Sequence, residues 1–377
     1  MKILYLTPGC FDKGGISRYT RYQISALREI VGHADVRVFS FLGPDADGFE
    51  HPFQVDGHGR GSGAIDKAEF LLKVAARAVR DRPDMIFAAH VNLAGSANAL
   101  ARLLRADVVL NCYGHEVWSG LRRDAHWGVL RSRSVIADCH FTAQYLEDND
   151  LRPRGTTTVI WDCVDIDRFS PGVTPPELLA RYKIPDPATG INLLTLGRLS
   201  RSAAHKGYER LLEVFARVAS RVPTLRLVVA GRGDLAPLLA SRARALGVSD
   251  RVHFTGAVHE DDLPGVYRSA HIFSLMSDRG IGRGEGLPLT PLEAAASGVP
   301  ILVGNLDGSR EAAESGVEGF VLDPFDLDAH AEAIVRLASS PDERARMGLA
   351  ARARATREFS YDRFVTKHRR FLDGFGR

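Results

Sequence analysis

The strongest constraint on the fold is an alternation of short apolar runs with longer amphipathic segments along most of the chain. In the first half, apolar runs such as "KILYLT", "DVRVFSF" and "DMIFAAH" have the length of buried strands. Segments of helical period at 16–30, 66–81 and 94–104 lie between them. Since parallel strands need such crossover helices, this rhythm predicts an open parallel sheet covered by helices on both faces.

The same rhythm restarts near residue 190 with "NLLTLG", "LRLVVAG" and "RVHFTG", separated by helix patterns at 207–220 and 235–246. A chain of 377 residues is also long for a single core. We therefore predict an α/β protein with two Rossmann-like parallel-sheet domains that face an interdomain cleft. Prolines and polar residues cluster at 167–190 and mark the expected seam.

Composition excludes several other classes of protein. Hydrophobic residues make up 45% of the chain and charged residues 25%, which is typical of a globular enzyme. The net charge of +3 permits anionic ligands, but no RNA- or DNA-reading pattern occurs, so we expect no nucleic-acid partner. Four scattered cysteines, the short apolar N-terminal run and the lack of a long apolar segment predict a cytoplasmic protein without disulfides.

Two loops that follow predicted strands have the composition of phosphate-binding loops. "TPGCFDKGGISRYT" places Gly14 and Gly15 before a helix, where backbone amides can approach an anion, although a simple turn explains them equally well. "LGRLSRSAAHKGYERLL" places Arg198 and Lys206 before a second helix. Arginine and lysine together suit a diphosphate, whereas a solvated basic loop is the alternative.

The stretch "GEGLPLTPLEAAASGVP" contains two glutamates of different character. Glu285 lies between glycines in a loop, where a carboxylate can accept hydrogen bonds from sugar hydroxyls. A capping box, with Thr290 as N-cap and Pro291 as the first helical residue, explains Glu293 completely without a ligand. The sequence therefore leaves two interpretations of Glu293 open, a ligand contact and a helix cap.

Three other stretches are compatible with a site but have an ordinary structural explanation. "YGHEVW" follows a predicted strand and offers Tyr113, His115 and Glu116 at the cleft. Acidic D-x-D pairs at 45–47, 148–150 and 165–167 fall in predicted loops, so we predict no metal ion and no cofactor. Residues 117–134 mix Trp118, Trp127 and arginines, which suits either an interfacial helix near anionic lipid or an ordinary amphipathic helix on the first sheet.

The ordered set of motifs resembles the retaining, nucleotide-sugar-dependent glycosyltransferases of family 4, which have the GT-B fold. The resemblance is strongest over 190–324, and the motifs that carry it are "GRL…KG" at 197–207, "LVVAGRGD" at 227–234, "VHFTGAV" at 252–258, "EGLPLTPLEAAASGVPIL" at 285–302 and "GSREAAESGVEGFVLDP" at 308–324. The N-terminal half resembles the family more weakly, through Gly14-Gly15, "YGHE" and "VDIDRFSP".

The resemblance implies a role for each matching residue. Arg198 and Lys206 would hold the donor diphosphate with the amides near Leu289 and Thr290, and Glu285 would bind the donor sugar. The resemblance further gives Glu293 to the ribose, the Val258 region to the base, Gly15 to the phosphates or acceptor, His115 to catalysis, and Tyr113 and Glu116 to the sugar or acceptor.

The implied domains are an acceptor-side domain at 1–170, a donor-side domain at 171–358 and a C-terminal helix at 359–377 that returns to the first domain. This chain departs from the family where Tyr113 precedes Gly114, since a histidine is usual there, and where Pro288 replaces a common glycine.

The implied reaction is metal-independent transfer of a hexose from a UDP- or GDP-sugar, with retention, to a hydroxyl of a glycan, a lipid-linked or a small-molecule acceptor. We expect a cytoplasmic enzyme, and the sequence leaves open both its peripheral contact with the inner membrane face and its oligomeric state. An epimerase or hydrolase of nucleotide sugars with the same fold, or a non-catalytic sugar-binding protein, is the alternative.

Overall fold

The computed structural model describes residues 1–12, 14–44, 53–61, 63–280 and 283–375. It divides the chain into two compact units. The first unit comprises Met1–Cys163 and Tyr361–Arg377, and the second comprises Val164–Ser360. The acidic pair expected at 45–47 lies outside the described residues.

The thirteen strands and fourteen α-helices of the described residues alternate along most of the chain. The strands are β1 Ile3–Thr7, β2 Val36–Ser40, β3 Gly57–His58, β4 Met85–Ala88, β5 Asp107–Cys112, β6 Ser134–Ala137, β7 Thr157–Val159, β8 Ile191–Leu196, β9 Leu225–Ala230, β10 Val252–Gly256, β11 Ile272–Leu275, β12 Ile301–Gly304 and β13 Gly319–Leu322. The helices are α1 Gly15–Val31, α2 Ala64–Asp81, α3 Val91–Leu104, α4 His115–Trp118, α5 Arg123–Arg131, α6 His140–Asp148, α7 Pro176–Tyr182, α8 Tyr208–Ala219, α9 Ala236–Ala245, α10 Leu263–Arg268, α11 Leu289–Ala296, α12 Leu327–Ser339, α13 Pro341–Glu358 and α14 Tyr361–Asp373.

The first unit is built on a seven-stranded sheet in the order β3-β2-β1-β4-β5-β6-β7, with every pair parallel. Along β1, Leu4 and Leu6 enter the apolar cluster on one face, while Ile3 and Tyr5 enter the cluster on the other. Successive strand residues point to opposite faces, and both faces are covered by helices, so every residue of the strand is buried. The prediction of a helix-covered parallel sheet is confirmed.

The second unit repeats this plan with six parallel strands in the order β10-β9-β8-β11-β12-β13. In this sheet the strand order reverses between β8 and β11, and in the first sheet between β1 and β4. Ligands of doubly wound sheets bind beyond the carboxyl ends of the strands at such a reversal. In the second unit, the loops that follow β8 and β11 lie at this reversal of the strand order.

The C-terminal helix α14 belongs to the first unit, where Phe364, Val365, His368 and Leu372 are buried. The ring of Phe364 lies edge-on to Tyr19 of α1, with 5.3 Å between the ring centroids. The expected seam at 167–190 contains the helix α7, of which Leu178 and Tyr182 are buried.

The expected single helix over 117–134 is wrong, because this stretch holds the end of α4 and all of α5. Gly120 adopts a positive φ of 85° between them, and Arg122 is extended. All four cysteines are buried and form no disulfide bond. Within the described part of the chain, no helix is both long and apolar enough to cross a membrane.

Candidate active site

The loop after β8 carries both predicted diphosphate ligands of the second unit. Arg198 is exposed and, within the described residues, its guanidinium makes no hydrogen bond or ion pair. The loop ends in a 3-10 helix over Arg201–Lys206, followed by Gly207 with a φ of 78°. A Cβ at Gly207 would collide with the carbonyl oxygen of Met276, so only glycine lets this loop approach the end of β11.

Glu285 is held by two side chains of this 3-10 helix. Its Oε1 accepts hydrogen bonds from His205 Nε2 and Lys206 Nζ, each at 2.7 Å. Only 11–18% of the surface of each of these three side chains is exposed to solvent. Lys206 and Glu285, which the sequence predicts as ligands of different parts of one donor, are therefore in direct contact.

The charge state of Glu285 follows from opposing effects. Burial alone would raise its pKa, but the Lys206 ammonium and the hydrogen bond from His205 outweigh burial and lower the pKa to about 2. Glu285 is therefore ionised throughout the physiological range of pH. A carboxylate with two cationic or hydrogen-bonding partners stays anionic and can accept further hydrogen bonds from hydroxyl groups.

Asp307, which the sequence did not indicate, supports the backbone of Glu285. It follows β12, is fully buried, and its Oδ2 accepts the backbone N–H of Glu285 at 3.0 Å. Its Oδ1 accepts the amide of Ser309 at 3.0 Å and the hydroxyl of Ser277 at 3.2 Å. Burial raises its pKa to about 6, with a further increase from the Glu285 charge. Asp307 thus fixes the loop that presents Glu285.

A second ion pair fixes the loop after β8 against the end of β11. Arg210 of α8 contacts Asp278 Oδ2 at 2.7 Å and donates to the carbonyl of Met276 at 2.7 Å. Its guanidinium also lies 4.7 Å from the ring centroid of Phe325. Arg210 lies in the first turn of α8, shortly after His205 and Lys206, and Asp278 and Met276 follow β11. These contacts therefore hold the loop with His205 and Lys206 close to the loop that carries Glu285.

The predicted capping box at Thr290 and Glu293 is wrong. The helix α11 begins at Leu289 after Pro288, which makes no side-chain cap, so Thr290 and Pro291 lie inside its first turn. Glu293 is buried and its Oε2 accepts a hydrogen bond from the Tyr267 hydroxyl at 2.6 Å. The contact with α10 replaces the cap as the structural role of Glu293, because a buried carboxylate needs a donor.

The first turn of α11 faces the same end of the sheet, since it directly follows the loop after β11. Leu289 and Thr290 are partly buried there, and the Thr290 hydroxyl is a buried atom that makes no hydrogen bond within the described residues. The amides of a helical first turn have no partners in their own helix. Val258 lies beyond the end of β10 and is partly buried.

The candidate residues of the first unit follow β5 and β1. Tyr113 is buried, and its hydroxyl accepts a hydrogen bond from Asn111 at 3.2 Å. Glu116 is also buried, and its Oε1 accepts the amide of Tyr113 at 2.5 Å. His115 is half-exposed, with Nδ1 3.7 Å from Glu116 Oε2. The side chain available to a ligand is therefore His115, whereas Tyr113 and Glu116 shape the turn below it.

Gly15 is the first residue of α1 and directly follows the N-cap Gly14. A Cβ atom at Gly15 would meet no other atom within 4 Å, so the space there is open. Asp12 occupies the turn before it and accepts the amide of Gly14 at 2.6 Å and the hydroxyl of Ser17 at 2.6 Å. In the residues that the structure describes, no group of three or more His, Cys, Asp or Glu side chains could hold a metal ion.

Two family descriptions match this chain. Residues 13–168 match "Glycosyltransferase Family 4" and residues 182–354 match "Glycosyl transferases group 1". A GDP-mannose-dependent alpha-(1-6)-phosphatidylinositol monomannoside mannosyltransferase of Mycobacterium tuberculosis is 31% identical over 300 residues, which cover 78% of this chain and 74% of that protein. A D-inositol 3-phosphate glycosyltransferase of Salinispora tropica is 31% identical over 225 residues, which cover 56% of this chain and 44% of that protein.

Solved structures with the same fold cover nearly the whole chain. HepE (Alr3699) of Anabaena, in complex with UDP, has a TM-score of 0.79 at 19% identity and covers 99% of this chain and 100% of its own. Sucrose-phosphate synthase of Thermosynechococcus elongatus has a TM-score of 0.75 at 18% identity and covers 100% of this chain and 99% of its own. With the two parallel sheets, these similarities confirm the prediction of the GT-B fold.

Proposed function

The chain belongs to glycosyltransferase family 4, and we propose that it transfers a hexose from a UDP- or GDP-sugar, without a metal ion and with retention, to an acceptor hydroxyl. That it is a glycosyltransferase acting on a nucleotide sugar follows from the family and the named relatives. The observation that carries the finer proposal is the contact between Lys206 and Glu285 after β8 and β11.

The donor diphosphate is assigned to Arg198 and Lys206. Arg198 is exposed and uncommitted within the described residues, so it can turn to a phosphate without breaking an existing ion pair. Lys206 is partly buried, and its attraction to an anion is less screened than that of a surface lysine. The two cations and the amides at Leu289 and Thr290, which begin α11, would stabilise the negative charge that grows on the departing diphosphate.

The donor sugar is assigned to Glu285. Asp307 fixes the Glu285 backbone, and the ionised Glu285 carboxylate can accept hydrogen bonds from two sugar hydroxyls. His205 would hold the same carboxylate in place through Nε2. Because the Glu285 backbone and side chain are both constrained, little conformational entropy is lost when the sugar binds.

The remaining assignments extend the site to the ribose, the base, the phosphates or acceptor, and the transferred sugar. Glu293 is assigned to the ribose, with Tyr267 orienting its carboxylate, and Val258 to the base. Gly15 is assigned to a phosphate or the acceptor because its surroundings are open. His115, the exposed side chain after β5, is assigned to the sugar being transferred, with Tyr113 and Glu116 supporting it.

Metal-independent transfer is supported by these two cations, since Arg198 and Lys206 could supply the charge that a divalent ion otherwise supplies. For retention we propose substitution on one face of the sugar, in which the leaving phosphate accepts the proton of the acceptor hydroxyl. The bond from the sugar carbon to the diphosphate oxygen breaks, the bond to the acceptor oxygen forms, and the proton moves to the phosphate.

We assign the acceptor side to the first unit and propose a cytoplasmic enzyme in peripheral contact with the membrane. In α5, Trp127 and Leu130 are 38% and 47% exposed, and Arg123 and Arg131 of this helix and Arg122 before it are exposed as well. An aromatic and an aliphatic side chain among arginines suit the surface of an anionic bilayer. The mannosyltransferase relative is named for a phosphatidylinositol acceptor, which favours a lipid-linked acceptor here.

The proposal is tested by product analysis with a panel of UDP- and GDP-sugars and phosphatidylinositol, inositol phosphate and oligosaccharide acceptors, in EDTA and in Mg²⁺. We expect a glycosylated product in EDTA whose anomeric configuration by NMR is that of the donor. An inverted product refutes retention, and a requirement for Mg²⁺ refutes metal independence. An altered sugar from donor alone would identify an epimerase instead.

Membrane contact is tested separately by flotation with anionic vesicles at low salt. We expect the wild-type protein to float and the Trp127→Ala variant to float less. If the wild-type protein does not bind such vesicles, the peripheral contact is refuted while the transferase assignment stands.

A further inference from the structure

The helix α2 presents an apolar stripe to solvent in addition to its buried face. Phe70, Val74 and Ala78 are buried on one side of the helix. On the opposite side, Ile65, Leu72 and Val79 are 85%, 70% and 53% exposed. Ala68 and Ala76 are exposed between them.

The spacing of this stripe is that of a helix-pairing seam. Ile65, Leu72 and Val79 recur at intervals of seven residues, and the alanines fill the positions between them. Apolar residues at such intervals form the narrow stripe through which two helices pack side by side. From Ile65 to Val79 the stripe is about 21 Å long at 1.5 Å per residue.

The stripe is also symmetric about its centre. Ile65 and Val79 lie seven residues before and after Leu72, and Ala68 and Ala76 lie four residues before and after it. An antiparallel pair of identical helices with a twofold axis beside Leu72 would place Ile65 against Val79 and Ala68 against Ala76. The alanines would let the two backbones approach closely.

Charges beside the stripe are complementary in the same arrangement. At 100° per residue, the charged residues Glu69, Lys73 and Arg80 lie along one edge of the stripe. Glu69 and Lys73 form an ion pair within the helix. A twofold axis brings this edge of one helix beside the same edge of its copy. Glu69 of each copy then lies beside Lys73 of the other, so opposite charges face each other.

We propose that α2 is a self-association surface, and that two copies of this chain pair through antiparallel α2 helices with Leu72 at the twofold axis. A second copy fits better than a lipid surface, because the stripe is narrow and symmetric and is bordered by acid as well as base. A single helix pair buries less area than a stable dimer interface, so the dimer should be weak, with a dissociation constant of about 10 to about 100 μM.

The first test is sedimentation velocity of the full-length protein from about 1 to about 100 μM. We expect a concentration-dependent dimer that Leu72→Glu weakens about tenfold or more, since two like charges would meet at the axis. Leu349→Glu, at a leucine of α13 that is 73% exposed, is the matched control and should leave the dimer unchanged. A monomer at every concentration overturns the proposal, and so does equal weakening by both substitutions.

Cross-linking tests the orientation. All four native cysteines are buried, so introduced thiols should react selectively. We expect Leu72→Cys to cross-link to itself, and Ile65→Cys to cross-link to Val79→Cys in a mixture but not to itself. Self-linking at Ile65→Cys and at Val79→Cys would show a parallel pair and overturn the proposal. Loss of vesicle flotation in Leu72→Glu, without a dimer in the wild-type protein, would identify a lipid surface instead.

Discussion

Neutralising Glu285 should affect nucleotide binding and sugar transfer in opposite directions. In the free protein Lys206 Nζ is 2.7 Å from the Glu285 carboxylate, so the proposed diphosphate must compete with this carboxylate for the same ammonium. Glu285→Gln removes the competing charge and the repulsion between the carboxylate and the phosphates. It also removes the anionic acceptor that the sugar hydroxyls need.

The magnitude follows from the burial of this pair. Both side chains are less than a fifth exposed, and a charge-assisted hydrogen bond of this kind contributes about 1.5–3 kcal/mol. If about half of this interaction must be given up when the diphosphate binds, Glu285→Gln should tighten UDP or GDP binding about three- to tenfold. Transfer should fall about a hundredfold in kcat/KM, because the lost sugar contacts act on the transition state.

Isothermal titration with UDP and GDP, together with initial rates of transfer, separates the two effects. Lys206→Ala should weaken nucleotide binding about tenfold or more and lower transfer as well. Glu209→Gln, at an exposed acid in the first turn of α8, is the control and should change neither quantity. If Glu285→Gln weakened nucleotide binding as Lys206→Ala does, the competition between carboxylate and diphosphate would be refuted.

Three further predictions concern groups around the proposed sites. The pKa of Asp307 is raised to about 6, so the folded protein binds this proton more tightly than the unfolded chain does. The free energy of unfolding should therefore fall as the pH rises from about 4 to about 6. In urea titrations, Asp307→Asn should remove up to about 3 kcal/mol of this decline. Burial lowers the pKa of His368 to about 4, and its Nε2 accepts a hydrogen bond from the Gln23 amide at 2.9 Å. In thermal unfolding, His368→Ala should lower the free energy of unfolding by about 2–4 kcal/mol, whereas Arg369→Ala at an exposed position should change it very little. Glu293→Gln should weaken UDP and GDP binding about tenfold without affecting pyrophosphate inhibition, and equal loss of both would exclude the ribose assignment.

Sequence patterns predicted the strands and helices well because both periods are strong in this chain. The helices α1, α2, α3, α8 and α9 begin and end within three residues of the predicted bounds. The sequence did not indicate β3, since it has only two residues and no alternation. The break between α4 and α5 was also missed, because the apolar and basic residues continue across Gly120.

The site was predicted less completely, because its support comes from residues distant in sequence. Arg198, Lys206 and Glu285 could be found as charged residues that follow strands. His205 and Asp307 were missed, since their contacts with Glu285 join positions 80 and 22 residues apart. Glu293 looked like a helix cap because its local pattern fits one, whereas its partner Tyr267 lies 26 residues earlier.

The central claim is that the second unit binds a nucleotide diphosphate through Arg198 and Lys206. The most direct measurement is isothermal titration of UDP and GDP in EDTA with the wild-type protein, Arg198→Ala and Arg244→Ala, where Arg244 is an exposed arginine in the last turn of α9 and serves as the control. We predict that one nucleotide binds the wild-type protein and Arg244→Ala with similar affinity and binds Arg198→Ala about tenfold or more weakly. Absence of binding by either nucleotide, or equal binding to all three proteins, would contradict the account.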